Sequence, residues 1–327
     1  MNSKTKQAEQ LIERLYTQAK QISPALFQEW AMEEASKIVA FDSGIWGDGV
    51  GATKIHSLFL YKQSPEMVDN YGKLLMSGLA DELTIHIINN LGTAVAQQDF
   101  YSDWHSTEWY QRHCKQFSME HSCAMAFYKP KLQLFTSVAY YRADPARPFT
   151  EEDKRLKEII DPHLRESYEL CLLFNLYKDN NDIANSWEQQ SIALTDDEGY
   201  IYYCNENFIQ YLQTSDIARN AVIHPNLWKK FKNQRQLSID QTHISLTRIE
   251  NNQWLISLQP IDNTRQLTDT EQLIAEDLAT GMSYKEIARE RNRSVSTIKN
   301  QAYTIYKKLQ IKGKDELTQV IKPKEAG

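Results

Sequence analysis

Residues 267–317, LTDTEQLIAEDLATGMSYKEIARERNRSVSTIKNQAYTIYKKLQIKGKDEL, constrain the fold more tightly than any other stretch of this chain. Two boxes mark helix starts, Thr268 with Glu271 and Ser283 with Glu286. In such a box the hydroxyl and the carboxylate satisfy backbone N–H groups that a first helical turn leaves without partners. Gly281 stands between them, where a helix end favours a residue that tolerates positive φ. A third helix is predicted to begin near Ser294 or Ser296 and to run to about Leu309. Its Ile298, Ala302, Ile305 and Leu309 recur at helical steps and form one buried stripe. Thr297, Lys299, Asn300 and Tyr303 lie opposite that stripe, so the pattern predicts a helix-turn-helix with a polar face turned outward.

Charge supports the same reading. The whole chain of 327 residues carries a formal net charge of −6, which by itself argues against a nucleic-acid binder. Residues 281–314 nevertheless hold nine Lys and Arg against two acids, Glu286 and Glu290, a local +7. Positive charge concentrated beside a groove-reading helix is what contact with DNA phosphates requires.

These residues resemble the LuxR-type (NarL/FixJ, GerE) DNA-binding domain. The resemblance covers roughly the last 60 residues and rests on Leu267-Thr268, Glu271, Gly281, Ser283, Lys285-Glu286-Ile287-Ala288, Ser294, Thr297-Ile298-Lys299-Asn300 and Lys308-Leu309. It implies an all-α domain of four helices, with the third in the major groove and a short fourth, about Lys314–Ile321, commonly supplying a dimer contact. It further implies that Lys299, Asn300 and Tyr303 face base edges, while Lys285, Ser294 and Thr297 hold phosphates. The sequence departs from the family at Arg291-Asn292-Arg293, where an apolar residue, Gly and an apolar residue are usual. Asn292 can take the left-handed turn conformation, and Arg291 and Arg293 are expected near phosphates. Gln301, where many members carry His, joins that phosphate-facing set.

Upstream, residues 5–22 read as an amphipathic helix and Pro24 opens a second through about Val39. Strands are predicted at Phe41–Trp46 and Ile55–Tyr61, joined by the glycine-rich GDGVG, and helices at Glu66–Ser77 and Glu82–Gln98. A hairpin around Lys129-Pro130-Lys131 follows, then a long helix from Glu151 to about Tyr177 that Pro162 is expected to kink or divide. Pro148–Asp153 and Asp161-Pro162-His163-Leu164 resemble the closing segment of GAF-like regions in bacterial LuxR-type regulators. Ile192–Asp196, the turn Asp197-Glu198-Gly199, Tyr200–Asn205 and a helix over NENFIQYL look like the opening of a PAS domain, with His243–Ile249 and Trp254–Gln259 as last strands of a shortened version. The expected architecture is therefore multidomain α+β. Residues 1–180 form a GAF-like sensor and dimerisation domain, 181–262 a PAS-like connector, and 263–327 the helix-turn-helix domain.

Other patterns point to function less directly. Gly47–Lys54 lacks the Gly-Lys-Ser/Thr ending of a phosphate-binding loop. His105, His113, Cys114, His121 and Cys123 cluster without zinc-ligand spacing, so no metal is expected. Asp196-Asp197 lies too close to Leu267 for a phosphorylated receiver domain. None of the seven tryptophans has Tyr four residues later, as acyl-homoserine-lactone receptors do. Tyr101, Trp104, Trp109, Tyr110, Tyr140 and Tyr141 are candidates to line a small-molecule pocket or to be plain core, and no ligand-binding residue is assigned. No nucleophile, carboxylate pair or cofactor loop marks an enzyme, and no cofactor is expected. The absence of an apolar leader or an 18-residue apolar run predicts a cytoplasmic, nucleoid-associated protein without membrane contact. The sequence thus predicts a promoter-binding homodimeric regulator, with RNA polymerase and a small ligand as further candidate partners. The alternative is an adaptor or anti-activator acting through protein contacts.

Overall fold

The computed structural model describes residues 3–51, 54–179, 190–219, 221–239, 242–249, 253–261 and 263–321. The chain divides into two compact units, residues 1–237 with 244–259, and residues 238–243 with 260–327. The boundary expected at 180/181 and the residue before the expected start at 263 fall outside the described residues.

The first unit opens with helices α1 (Ser3–Gln18) and α2 (Pro24–Val39). Ala8, Leu11 and Leu15 are fully buried at helical spacing on α1. Pro24 occupies the first position of α2, where its missing N–H leaves no intrahelical bond unmade. The helix ends at Ala40 in the left-handed conformation. Its last carbonyls, of Val39 and Ala40, accept hydrogen bonds from Arg142 at 2.6 and 2.9 Å.

Strands β1 (Ser43–Val50), β2 (Lys54–Tyr61), β3 (Val95–Ala96), β4 (His121–Lys129) and β5 (Leu134–Arg142) form a sheet in the order β2-β1-β5-β4-β3, antiparallel at every pairing. The glycine-rich GDGVG joins β1 to β2 as expected, but only its end turns. Gly47-Asp48-Gly49 belongs to β1, and the chain turns beyond it, at Gly51 with φ +60°. The reason is steric. A Cβ on Gly47 would lie 2.3 Å from the Ser57 carbonyl oxygen, and one on Gly49 2.5 Å from that of Lys54. Only glycine allows β2 to approach this closely, beside an irregularity in register between Asp48 and Gly49.

Helices α3 (Pro65–Met76), α4 (Glu82–Asn89) and α6 (Glu108–Arg112) lie between β2 and β4, with a single helical turn, α5 (Gln97–Phe100). The helix expected over Glu82–Gln98 is shorter than its sequence pattern suggests. Gly92, at φ +74°, follows its end, and Val95 and Ala96 pair with Ala124 and Cys123 as an edge strand. Pairing with the sheet satisfies those backbone groups in place of further helix.

Helix α7 (Glu151–Asp179) starts at a reciprocal cap between Thr150 and Asp153 and is one continuous element, so Pro162 does not divide it. Its first part enters the core of the first sheet through Leu156, Ile160, Leu164 and Cys171. Its last part packs Leu172 and Leu176 against Ile192, Leu194 and Leu255 of a second sheet. That sheet holds β6 (Ser191–Thr195), β7 (Ile201–Cys204), β10 (Gln236–Ile239), β11 (Thr242–Arg248) and β12 (Trp254–Pro260), in the order β10-β11-β12-β6-β7. Between β7 and β10 come α8 (Glu206–Thr214), the short pair β8 (Ala218–Arg219) and β9 (Val222–Ile223), and α9 (Pro225–Gln234). Counted from its own first strand, the second sheet repeats the strand order of the first. It too has five strands.

The C-terminal stretch of the second unit is helical: α10 (Asp269–Ala279), α11 (Tyr284–Glu290), α12 (Val295–Leu309) and α13 (Lys314–Val320), after a 3-10 turn at Asn263–Gln266. One core joins Ile274, Leu278, Ile287, Ile298, Ala302, Ile305, Leu309, Leu317 and Ile321.

Candidate functional site

In the second unit the caps form as the sequence predicts. Thr268 and Glu271 bond reciprocally, the Glu271 backbone N–H to Oγ1 at 3.3 Å and the Thr268 N–H to Oε2 at 2.7 Å. Ser283 and Glu286 do the same at 3.3 and 2.7 Å. Ser294 caps α12 by accepting the Thr297 N–H at 3.0 Å. Gly281 takes φ +98° and Asn292 φ +52°, so both turns use residues that tolerate the left-handed region.

With Ile298, Ala302, Ile305 and Leu309 buried, α12 turns Lys299, Asn300 and Tyr303 outward. Tyr303 is 73% exposed, an aromatic ring held in water on the same face as a lysine and an asparagine. Lys285, Arg293, Ser294 and Thr297 are exposed as well, while Gln301 is half-buried. Lys285, Arg289, Arg293, Lys299, Lys307 and Lys312 make no ion pair among the described residues.

Three of the nine cations are tied inside the unit instead. Lys308 pairs with Glu271 at 2.6 Å and holds its carboxyl below the usual range. Lys314 donates to the carbonyls of Gly281 and Met282, each at 2.8 Å. Arg291 is the informative case. Expected near phosphates, its guanidinium instead meets Asp277 at 2.5 Å and donates to the Leu273 carbonyl at 3.1 Å. A planar fork can bind a carboxylate and a carbonyl at once, and here it ties the turn back to α10.

A second candidate site lies in the first unit. A cavity of about 170 Å³ sits between one face of the first sheet and α3, α4 and α6. The sheet face contributes the small residues Gly47, Ala124, Ser137 and Ala139 beside Ile45, Leu58, Phe135 and Tyr141, and the helices and loops bring Tyr71, Tyr101, Trp104, Trp109 and His113 to it. The opposite face carries Trp46, Val138 and Tyr140 and is filled by α1, α2 and α7. Of the aromatic residues singled out in the sequence, Tyr101, Trp104, Trp109 and Tyr141 line the cavity. Tyr140 belongs to the core on the other face, and Tyr110 packs in the aromatic cluster beside the cavity.

Polar groups at the wall are held in place. Asp81 caps α4, accepting from the Thr84 N–H at 3.0 Å and hydroxyl at 2.6 Å, and it accepts the Tyr71 hydroxyl at 3.0 Å. His113 bonds Asn70 at 2.6 Å through Nδ1, and burial pushes its pKa down to about 4. No local motif marked Tyr71 or Asp81, and His113 was singled out only within the His and Cys cluster; the signal for this site was the helical amphipathicity that buries their neighbours.

The His and Cys cluster is dispersed. His105 meets Glu120, and His121 meets Gln97 and the Pro145 carbonyl. Cys114 and Cys123 are buried, with thiol pKa values raised by burial. Among the described residues, no three His, Cys, Asp or Glu side chains gather as metal ligands, and no helix is long and apolar enough to cross a membrane.

Residues 265–321 match the family model described as bacterial regulatory proteins, luxR family (GerE). They form a LuxR-type helix-turn-helix domain. No curated protein matches the chain. Among solved structures, Escherichia coli SdiA is similar at 10% identity over 94% of each chain, with a TM-score of 0.38. The LBD domain of VqsR from Pseudomonas aeruginosa is similar at 14% identity, over 51% of this chain and 96% of that one, also at 0.38. CepR2 from Burkholderia cenocepacia, described as an N-acylhomoserine-lactone-dependent LuxR family transcription factor, is similar at 12% identity over 52% and 98%, with a TM-score of 0.38. Likeness at that level assigns neither fold nor ligand. In the LuxR-type domain α12 is the third of four helices among the described residues.

Proposed function

We propose that this chain is a transcriptional regulator whose LuxR-type domain reads a promoter site under control of the sheet-bearing unit. The observation that carries this reading is the outward face of α12, where Lys299, Asn300 and Tyr303 stand exposed above a fully buried apolar stripe. Lysine and asparagine can both bond base edges in the major groove. Lys285, Arg293, Ser294 and Thr297, exposed nearby in sequence, supply phosphate contacts, with Gln301 as a lesser candidate. Arg291 acts through the fold instead. Asn292 at φ +52° and the Arg291–Asp277 pair complete the turn between α11 and α12, which supports DNA binding over an adaptor acting through protein contacts.

A gel-shift titration with genomic fragments at rising salt tests the proposal. Specific fragments should outcompete random DNA, and affinity should fall steeply with salt as condensed counterions are released. Retention of no fragment above random competitor would refute it.

The cavity is read as the site of a controlling small molecule, and the GAF-like and PAS-like readings of residues 1–180 and 181–262 draw support from the five-stranded sheet in each. A homodimer on two half-sites is the expected working form, since one such domain reads few base pairs. The apolar stripes of α1 and α7 are buried within the unit, so pairing would use other faces of those helices together with α13. Analytical ultracentrifugation should show a dimer for the full chain and a monomer for a fragment from residue 262 onward. A full chain that stays monomeric on DNA would exclude it.

A further inference from the structure

We infer that the cavity of the first unit takes a compact, uncharged, chiefly apolar molecule built on a single ring. This rests on reading the cavity as the ligand site and adds what that ligand must be.

Size comes first. A cavity of roughly 150 Å³ lined by aliphatic and aromatic side chains accepts benzene, and this one measures about 170 Å³. Gly47, Ala124, Ser137 and Ala139 on the sheet face beneath it leave room among larger neighbours, while aromatic rings cover it from the helices. Flat faces of that kind fit a ring. A ten-carbon chain has nearly twice the heavy atoms of benzene and would have to leave part of itself in water.

Charge comes second. The acids at the wall, Asp48 and Asp81, already hold donors. Asp81 has three, from Tyr71 and Thr84. Asp48 has two, the Thr136 hydroxyl at 2.5 Å and the Ser57 hydroxyl at 3.2 Å. An anionic ligand would meet these carboxylates in an apolar surround, and His113 is held neutral by its burial. Lys54, the cation on the lining, has its ammonium 5.6 Å over the Tyr200 ring. A cationic ligand would lose its hydration for carboxylates that are largely satisfied. Burying an unpaired charge is strongly unfavourable, so a neutral molecule is preferred on both counts.

The test is calorimetric titration of the full chain with three probes: ethylbenzene, benzoate and 1-decanol. Ethylbenzene should bind at least tenfold more tightly than either of the others, and Ala139→Leu, which projects a branched chain into the cavity, should weaken it at least tenfold. Ala124→Leu is the second filling variant, and the wild-type comparison needs neither. If benzoate or 1-decanol binds as tightly as ethylbenzene, the cavity is a ligand site but the class inferred here is wrong. If none of the three binds, the ligand-site reading falls with it.

Discussion

Charges are placed in opposite ways in the two units. In the first, those closest to the core are buried and paired. Lys157 and Asp161 are both fully buried, 2.5 Å apart one helical turn along α7, with the Tyr140 hydroxyl donating to Asp161 at 2.5 Å. Arg142 meets Asp153 at 3.1 Å while its other donors serve backbone carbonyls. In the LuxR-type domain, Lys285, Arg293 and Lys299 stand in water without an ion pair among the described residues. A charge removed from water is tolerable only with partners, so losing one partner damages the fold. A hydrated charge contributes little to folding and is available to a polyanion.

That contrast can be broken first where it is sharpest. Lys157→Met should leave Asp161 uncompensated and destabilise the first unit by about 3–5 kcal/mol, read by urea denaturation. Adding Asp161→Leu should recover much of the loss. A double variant as unstable as the single one would show that the pair does not act as a unit.

The buried His113 gives a pH dependence. Its folded pKa, about 4, lies below the ordinary value of 6.5. Between those values the unfolded chain takes up a proton that the folded chain refuses. Stability is therefore fully present above pH 6.5 and is lost as pH falls toward 4, by about 3 kcal/mol in total. His113→Gln should flatten that window. An unchanged slope between pH 6.5 and 4 would place the titration elsewhere.

On the exposed side, Lys299→Ala and Asn300→Ala should each weaken specific DNA binding by roughly 1–3 kcal/mol and leave the helical circular dichroism of the domain unaltered. Wild-type affinity in both variants would remove α12 from the groove.

The smallest effects separate the two kinds of arginine within one turn. Arg293→Ala, like Lys285→Ala, should lower the slope of log K against log salt by about one unit. Arg291→Ala should leave that slope alone and instead lower the domain's stability by about 1–2 kcal/mol, the range for a half-buried charge-assisted bond. Asp277→Ala should match it. A reduced salt slope in Arg291→Ala would return this residue to the phosphates.

Legibility followed the range of the interactions. Helix α2 and the three caps of the LuxR-type domain were readable because a Pro at the first position, or a hydroxyl three residues before its partner, acts within one turn. The Gly47–Gly49 segment misled because its composition suits a turn, whereas its conformation is set by the approach of Ser57 and Lys54 across the hairpin. The helix at Glu82 ended early because Val95 and Ala96 found partners on β4. Helix α9 and strand β10 went unread, although Pro225 starts the helix and Trp228 and Phe231 recur at its period.

By itself, the sequence determined the helices of the second unit, their caps and the outward face of α12, since all of these depend on residues a few positions apart. The two arginines flanking Asn292 are near neighbours in sequence, yet only the tertiary structure separates them, by placing Asp277 and the Leu273 carbonyl within reach of Arg291. The cavity belongs wholly to the tertiary structure. It arises where sheet order sets β1 beside β5 and β4, bringing Gly47, Ser137, Ala139 and Ala124 onto one face under Tyr71 and Trp109. Small residues scattered over nearly a hundred positions carry no local signal; only pairing across strands makes them one surface.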